Sequence, residues 1–328
     1  MFVRLFFAAL LGVAVAFGAY SPAQAAPYAA MVMDARNGEG LHSRNADTRL
    51  HPASLTKMMT LYIAFEAVRL GEISLDTEVT ISRAAAATEY ALGFRAGTRV
   101  RLRYLIRAAA VRSSNDGAAA IAEAISGSEA AFARRMNRTA IALGMTRTTF
   151  RNPHGLTESG HLSTARDMTI LGRRLIYDYP QYYNIFGRLT DDAGIAQVRN
   201  TNRVVLTQYR GADGIKTGYT RAAGFNLVAS AQRGQERIIA TVFGGRSSAW
   251  RNERVMELLN MGFERAPSEV ALRTPPLPTY ADGGGGSTTG GAPPGQRDPT
   301  TSIRPVLRPH AGVGAEVLAA IDTAVGQA

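Results

Sequence analysis

The chain has 328 residues, 46% of them apolar, with a formal net charge of +11 and no cysteine. This length and apolar content suffice for a sizeable core and exclude a wholly disordered chain. The missing cysteines exclude a thiol nucleophile, a thiolate metal site and a disulfide framework.

Residues 1–25 combine Arg4, an apolar run from Leu5 to Ala19 and the small-residue stretch Ala23-Gln24-Ala25. That order predicts a cleaved secretory signal and an exported, periplasmic protein. The apolar run is shorter than the roughly 20 residues a membrane-spanning helix needs. The positive balance suits nucleic acid or anionic wall and membrane surfaces; export leaves the second and makes nucleic acid no expected partner.

Tyr28 to Ala35 and Gly40 to Ser43, joined through the turn signal Asn37-Gly38, predict a β-hairpin. Leu55 to Leu70 carries apolar residues at helical spacing and closes at Gly71, which predicts a helix with Ser54 at its entrance. Further helices are expected at Leu102 to Val111, Gly117 to Ile125, Glu129 to Leu143 and Ala165 to Tyr177. Between the last two, Asn152-Pro153-His154-Gly155 and Glu158-Ser159-Gly160 describe a loop. Gly214 to Thr217, Phe225 to Ala231 and Arg237 to Phe243 are β-prone, and a helix follows near Trp250 to Phe263. These elements assemble naturally as a sheet flanked by helices with a helical cluster inserted in the middle; periodicity leaves strand order open.

Composition shifts after Ala266 to runs such as Pro275-Pro276 and Gly283 to Gly286, a flexible linker over 266–312. Residues 313–328 form a short helix or an inert tail. Its only charges are Glu316 and Asp322, which give membrane association no support. The folded domain is expected at 27–265.

Only two of the 37 basic residues are lysines, Lys57 and Lys216. Arginine stays protonated in proteins, whereas a buried lysine can lose its proton and act as a base. Both lysines lie in motifs. In Ser54-Leu55-Thr56-Lys57, residues three apart share a helix face, so the amine can meet the hydroxyl and take its proton. Ser113-Ser114-Asn115 can relay a proton and hold an amide, or can simply cap the following helix. Lys216-Thr217-Gly218 offers a charge and a hydroxyl to a carboxylate, with glycine leaving room beside the strand.

Ser-x-x-Lys, Ser-x-Asn and Lys-Thr-Gly in this order follow the set found in penicillin-binding proteins and class A β-lactamases. With Pro52-Ala53-Ser54-Leu55-Thr56-Lys57, His154-Gly155-Leu156, Gly214-Ile215-Lys216-Thr217-Gly218 and Gly224 to Ala231, the chain resembles the serine-type D-alanyl-D-alanine carboxypeptidases, the low-molecular-mass penicillin-binding proteins. The resemblance covers about residues 27 to 265 and implies an α/β (α+β) fold, β-lactamase/transpeptidase-like, with an antiparallel sheet flanked by helices and an inserted all-helical subdomain. It implies acylation of Ser54 with Lys57 as base and Ser113 in the proton relay. Asn115 would line the second wall, and Lys216, Thr217, Gly218 and, by its spacing, Arg251 would bind substrate. The amides of Ser54 and Tyr219 would hold the oxyanion.

The implied partners are peptidoglycan peptides and, as covalent inhibitors, β-lactams; no metal and no cofactor is expected. The alternatives are a DD-endopeptidase with the same machinery, a β-lactam-sensing wall-binding protein without turnover, and a β-lactamase, for which Glu158 is the nearest deacylating carboxylate. A Ser-His-Asp triad through His154 or His161 with Asp167 lacks the Gly-x-Ser-x-Gly elbow. The two lysines, set near each other, are expected to disfavour each other's protonation, leaving Lys57 neutral and Lys216 charged.

Overall fold

A computed structural model describes residues 27–280; the signal at 1–25, the linker beyond 280 and the tail at 313–328 lie outside the described residues. A five-stranded antiparallel sheet organises the domain. It is built from β1 (Ala29–Asp34), β2 (Gly40–Arg44), β7 (Ala212–Thr220), β8 (Gly224–Arg233) and β9 (Glu236–Gly245), in the order β2-β1-β9-β8-β7. The N-terminal hairpin thus pairs with the last strand among the described residues, Ala29 opposite Phe243 and Asp34 opposite Ile238. Every residue of β1 is buried, so its apolar run shows no alternation with polar residues.

One face of the sheet is covered by α9 (Ser248–Arg265), the other by α6 (Ala165–Asp178), against which α1 (Lys57–Arg69) packs. Gly262 allows α9 to approach closely, since a Cβ there would stand 2.4 Å from Ile238 Cγ2. Val32, Leu227, Ile238 and Val242 pack with Val255, Leu258 and Leu259 on the α9 side. On the other side, Met31, Val228, Ile239 and Phe243 join a core with Met58, Leu61, Tyr62 and Phe65 of α1. α1 is buried all round from Lys57 to Ala67, with Lys57, Thr60 and Glu66 among its enclosed side chains.

Between α1 and α6 the chain forms the inserted helical part: α2 (Arg83–Ala86), α3 (Leu102–Arg107), a π turn over Ala108–Arg112, α4 (Asn115–Ser126) and α5 (Glu129–Ala142). It also carries a two-stranded ribbon, β3 (Glu78–Thr80) with β4 (Arg99–Arg101). Each of these strands has one buried residue between two exposed ones, too short a pattern to announce itself in sequence. After α6 come α7 (Pro180–Tyr183), a second ribbon of β5 (Thr190–Asp192) and β6 (Gln197–Arg199), and α8 (Arg203–Gln208).

Residues 267–280 have no regular structure, yet they bond to the folded body. Arg36 donates to the carbonyls of Pro267 (2.5 Å) and Ser268 (3.2 Å), and Arg174 to that of Pro276 (2.5 Å). Tyr280 closes the segment by donating its hydroxyl to the buried Glu66 carboxylate at 2.6 Å. Among the described residues no helix is long and apolar enough to cross a membrane.

Candidate active site

The expected helix entrance is a tight turn. Ala53–Thr56 forms one turn of 3-10 helix leading directly into α1, with Ala53 in the left-handed region at φ 49°. This strained turn presents Ser54 at the mouth of a cleft. Two glycines make room for it. A Cβ on Gly155 would stand 1.9 Å from the Ala53 carbonyl oxygen, and Gly155 itself has φ +91°. A Cβ on Gly218 would stand 2.9 Å from the Pro52 carbonyl oxygen and 3.1 Å from the Ser54 nitrogen. The empty side of Gly218 faces the nucleophile's own turn and brings the backbone of β7 alongside the Ser54 amide. Asn226 adds a further tie by donating to the carbonyls of His51 and Pro52 at 3.0 and 3.2 Å.

Lys57 lies fully buried one turn after Ser54. Its Nζ is 3.1 Å from Ser54 Oγ, 2.6 Å from Asn115 Oδ1 and 2.7 Å from the His154 carbonyl oxygen. The Asn115 amide is oriented by its other end, where Nδ2 donates to the Glu89 carbonyl at 2.7 Å. A neutral amine has two hydrogens and one lone pair. Asn115 Oδ1 and the His154 carbonyl are pure acceptors and take both hydrogens, which leaves the lone pair for the Ser54 hydroxyl. Burial, and after it the charge of Lys216, holds the Lys57 pKa well below 10.5.

The second motif serves both of its readings at once. Ser114 caps α4 by accepting from the Gly117 N–H at 3.0 Å. Its neighbours face the cleft: Ser113, left-handed at φ 70°, and Asn115 line the same wall.

On the opposite wall, β7 places Thr217, Gly218 and Tyr219 along the cleft, with Tyr219 half-exposed and its ring packed on Phe225 at 4.3 Å. Lys216 is buried beneath them and donates to the Thr217 carbonyl at 3.0 Å. Thr217 Oγ1 donates to Thr201 Oγ1 at 2.7 Å. Arg251 reaches the cleft from α9, fixed by Asn252 Oδ1 and by the Asn226 carbonyl at 3.3 Å. Lys216, expected to be charged, has its pKa lowered to about 7 by burial and then by Arg251.

The two histidine rings of the triad reading have other partners: His154 lines the cleft, and its Nδ1 accepts from the Leu156 N–H at 3.3 Å. His161 Nδ1 accepts from the Arg151 N–H at 3.2 Å, so Nε2 carries the hydrogen and donates to Thr56 Oγ1 at 2.9 Å. Burial, reinforced by His154, His51 and Arg151, lowers its pKa to about 3. The Asp167 carboxylate accepts from Thr148 Oγ1 at 2.6 Å and from the Arg147 amide at 3.0 Å in place of a histidine. Glu158 accepts from Asn152 at 3.2 Å.

Thr201, Arg112 and the segment Glu89 to Leu92 also line the cleft and were not singled out by sequence. None of them belongs to a spaced motif; Thr201 reaches the site only because the chain folds back between β6 and α8.

A family model described as D-alanyl-D-alanine carboxypeptidase matches residues 16–247. The D-alanyl-D-alanine carboxypeptidase DacF of Bacillus subtilis is 38% identical over 242 residues, which cover 72% of this chain and 62% of the relative. The chain thus spans about three fifths of the length of the curated relatives it matches. Among solved structures, penicillin binding protein 5 from Haemophilus influenzae superposes with a TM-score of 0.70 at 35% identity, covering 75% of this chain and 73% of that one. Penicillin-Binding Protein D2 from Listeria monocytogenes, in its ampicillin-bound form, superposes with a TM-score of 0.66 at 32% identity, covering 72% and 96%.

Proposed function

Because the chain belongs to the D-alanyl-D-alanine carboxypeptidase family, we propose that it is a serine-type DD-carboxypeptidase removing the terminal D-alanine from peptidoglycan pentapeptide stems. Ser54 Oγ attacks the carbonyl of the penultimate D-alanine while its proton passes to the Lys57 amine. The new C–O bond gives a tetrahedral oxyanion, for which the Ser54 and Tyr219 amides are the donors. Collapse breaks the C–N bond, and the proton held by Lys57 passes through the Ser113 hydroxyl to the departing D-alanine amine, which returns Lys57 to its neutral form. Water then resolves the ester on Ser54. Lys216, Thr217 and Arg251 hold the terminal carboxylate, and Asn115 holds the peptide amide.

A β-lactam meets the same nucleophile as a strained amide, so penicillins are covalent inhibitors in this reading. The ampicillin-bound relative supports it. The substrate lies outside the cytoplasm, in keeping with the signal read at 1–25 and a periplasmic site of action.

The observation that carries the reading is the three-sided environment of Lys57 Nζ, which leaves one direction open and points it at Ser54. The test is D-alanine release from a pentapeptide ending in D-Ala-D-Ala, set beside cleavage of a cross-linked muropeptide dimer. Release from the pentapeptide that is lost in Ser54→Ala is expected. Preferential cleavage of the dimer would make the protein an endopeptidase, and acylation without release would make it a sensor.

A further inference from the structure

Asp116 follows the Ser-x-Asn motif and takes no part in the chemistry above, yet it is fully buried. Its two oxygens are surrounded by donors. Oδ1 accepts from the Leu92 N–H and the Gly117 N–H, each at 2.9 Å, and from the Ser114 hydroxyl. Oδ2 accepts from the Gly93 N–H at 2.9 Å and the Phe94 N–H at 3.0 Å. Burial alone would push the carboxyl up, but these hydrogen bonds outweigh it and hold the pKa below the usual value, so the group stays ionised.

Three consecutive backbone amides, 92 to 94, thus converge on one carboxylate more than twenty residues away in sequence. The segment they belong to starts at Glu89, and its residues 89 to 92 line the cleft as a roof. The same segment supplies the Glu89 carbonyl that accepts from Asn115 Nδ2. The Asn115 amide has two ends of opposite polarity. Whichever end faces Glu89, the other faces Lys57.

We propose that Asp116 is a positioning residue: by anchoring the Leu92–Phe94 backbone it keeps the Glu89 carbonyl on Asn115 Nδ2, and so keeps the Asn115 oxygen turned to Lys57. This rests on the reading of Lys57 as the base for Ser54. Without the anchor the roof retreats, Asn115 is free to turn its NH2 toward Lys57, and the amine must offer its lone pair to that donor in place of the Ser54 hydroxyl. Asparagine cannot substitute. Both oxygens of Asp116 accept, so an NH2 on either side would face at least one roof N–H.

The test measures the acylation rate constant with a fluorescent β-lactam on the full chain, for the wild type, Asp116→Asn, Asn115→Ala and the pair combined. Thermal melting shows which variants are folded. Asp116→Asn is expected to slow acylation about 100-fold, the scale of a small misplacement of reacting groups. If Asp116 acts through Asn115, the double variant will be no slower than Asn115→Ala alone. A purely structural role would make the two losses multiply. Gly93→Ala perturbs the roof without touching the core: its Cβ would meet nothing within 4 Å, but its φ of +110° disfavours a side chain. It should slow acylation in the wild-type background and not in Asn115→Ala, and it decides the matter if Asp116→Asn does not fold. Wild-type rates in the single variants, or multiplying losses, would overturn the inference alone. A wild-type chain that takes no label would overturn the proposed function, and the inference with it.

Discussion

Gly155 lies so close to Ala53 that any side chain on the glycine would overlap the alanine's carbonyl oxygen, at 1.9 Å. Both residues have positive φ, and the turn they hold in place carries the nucleophile. Gly155→Ala therefore cannot be absorbed without moving Ser54. The expected outcome is a fall in acylation by a β-lactam of about 100-fold or more. A lower melting temperature accompanies it, since strained backbone conformations of this kind cost about 1–3 kcal/mol each. Stopped-flow labelling and a thermal melt on the same sample check both.

The pH profile of kcat/KM follows from the two lysines. Lys57 must be neutral to accept a proton, and burial with the charge of Lys216 lowers its pKa well below 10.5. Lys216 must be charged to meet a carboxylate, and burial with Arg251 brings its pKa to about 7. Activity should rise as Lys57 loses its proton and fall as Lys216 loses its own, giving a bell. In Lys216→Arg the cation persists, so any activity that remains should lose the alkaline limb near pH 7. An unchanged alkaline limb would assign it to another group.

The same shifts set a sign for stability. The unfolded chain binds more protons on these lysines than the folded one between the lowered pKa of Lys216, about 7, and the unperturbed lysine value of about 10.4. Their contribution to folding stability therefore grows as pH rises through that window and is lost as pH falls through the folded pKa. Denaturant midpoints of the wild type and Lys216→Met should converge as pH rises from 7 to 10.

Tyr280 offers a test of the segment after α9. Its hydroxyl donates to Glu66, whose carboxylate is 2% exposed and also pairs with Arg135 at 3.3 Å. Tyr280→Phe removes a hydrogen bond to a buried charge, worth about 1.5–3 kcal/mol. The melting temperature should fall by several degrees while β-lactam acylation stays at the wild-type rate, because the contact lies away from the cleft. A loss of acylation would show that the segment supports the site as well as the fold.

His161 is one of the two histidines, with His154, through which a triad would run. Its Nε2–H is spent on Thr56 and burial keeps it neutral. His161→Gln, which retains a donor, should acylate within about tenfold of the wild type, whereas loss of a general base costs about 10²–10⁴-fold.

The chemistry was legible because it resides in short spacings. Ser54 to Lys57 spans one helical turn, and a composition that reserves lysine for positions 57 and 216 marks both of them by residue type alone. Strand order was not legible. The pairing of β1 with β9 depends on residues some 200 positions apart, and β1 is buried on both faces, so periodicity carries no register. The supports of the site were hidden for a related reason. Asp116, Gly155 and Asn226 act on distant backbone groups, the amides of 92–94 and the carbonyls of 51–53, and a backbone partner leaves no residue type to notice. Gly218 likewise makes room for a backbone group, the Pro52 carbonyl. The charge on Lys216 depends first on its burial and then on Arg251, which the fold brings to it from α9.

The most direct measurement is intact mass and peptide mapping of the purified chain after exposure to ampicillin at neutral pH. One adduct, mapped to Ser54, is expected; it should be absent in Ser54→Ala and form at least about 100-fold more slowly in Lys57→Arg, where the amine is replaced by a permanent cation. An adduct that persists in Ser54→Ala, or one that forms as fast in Lys57→Arg, would contradict a neutral lysine acting on that serine.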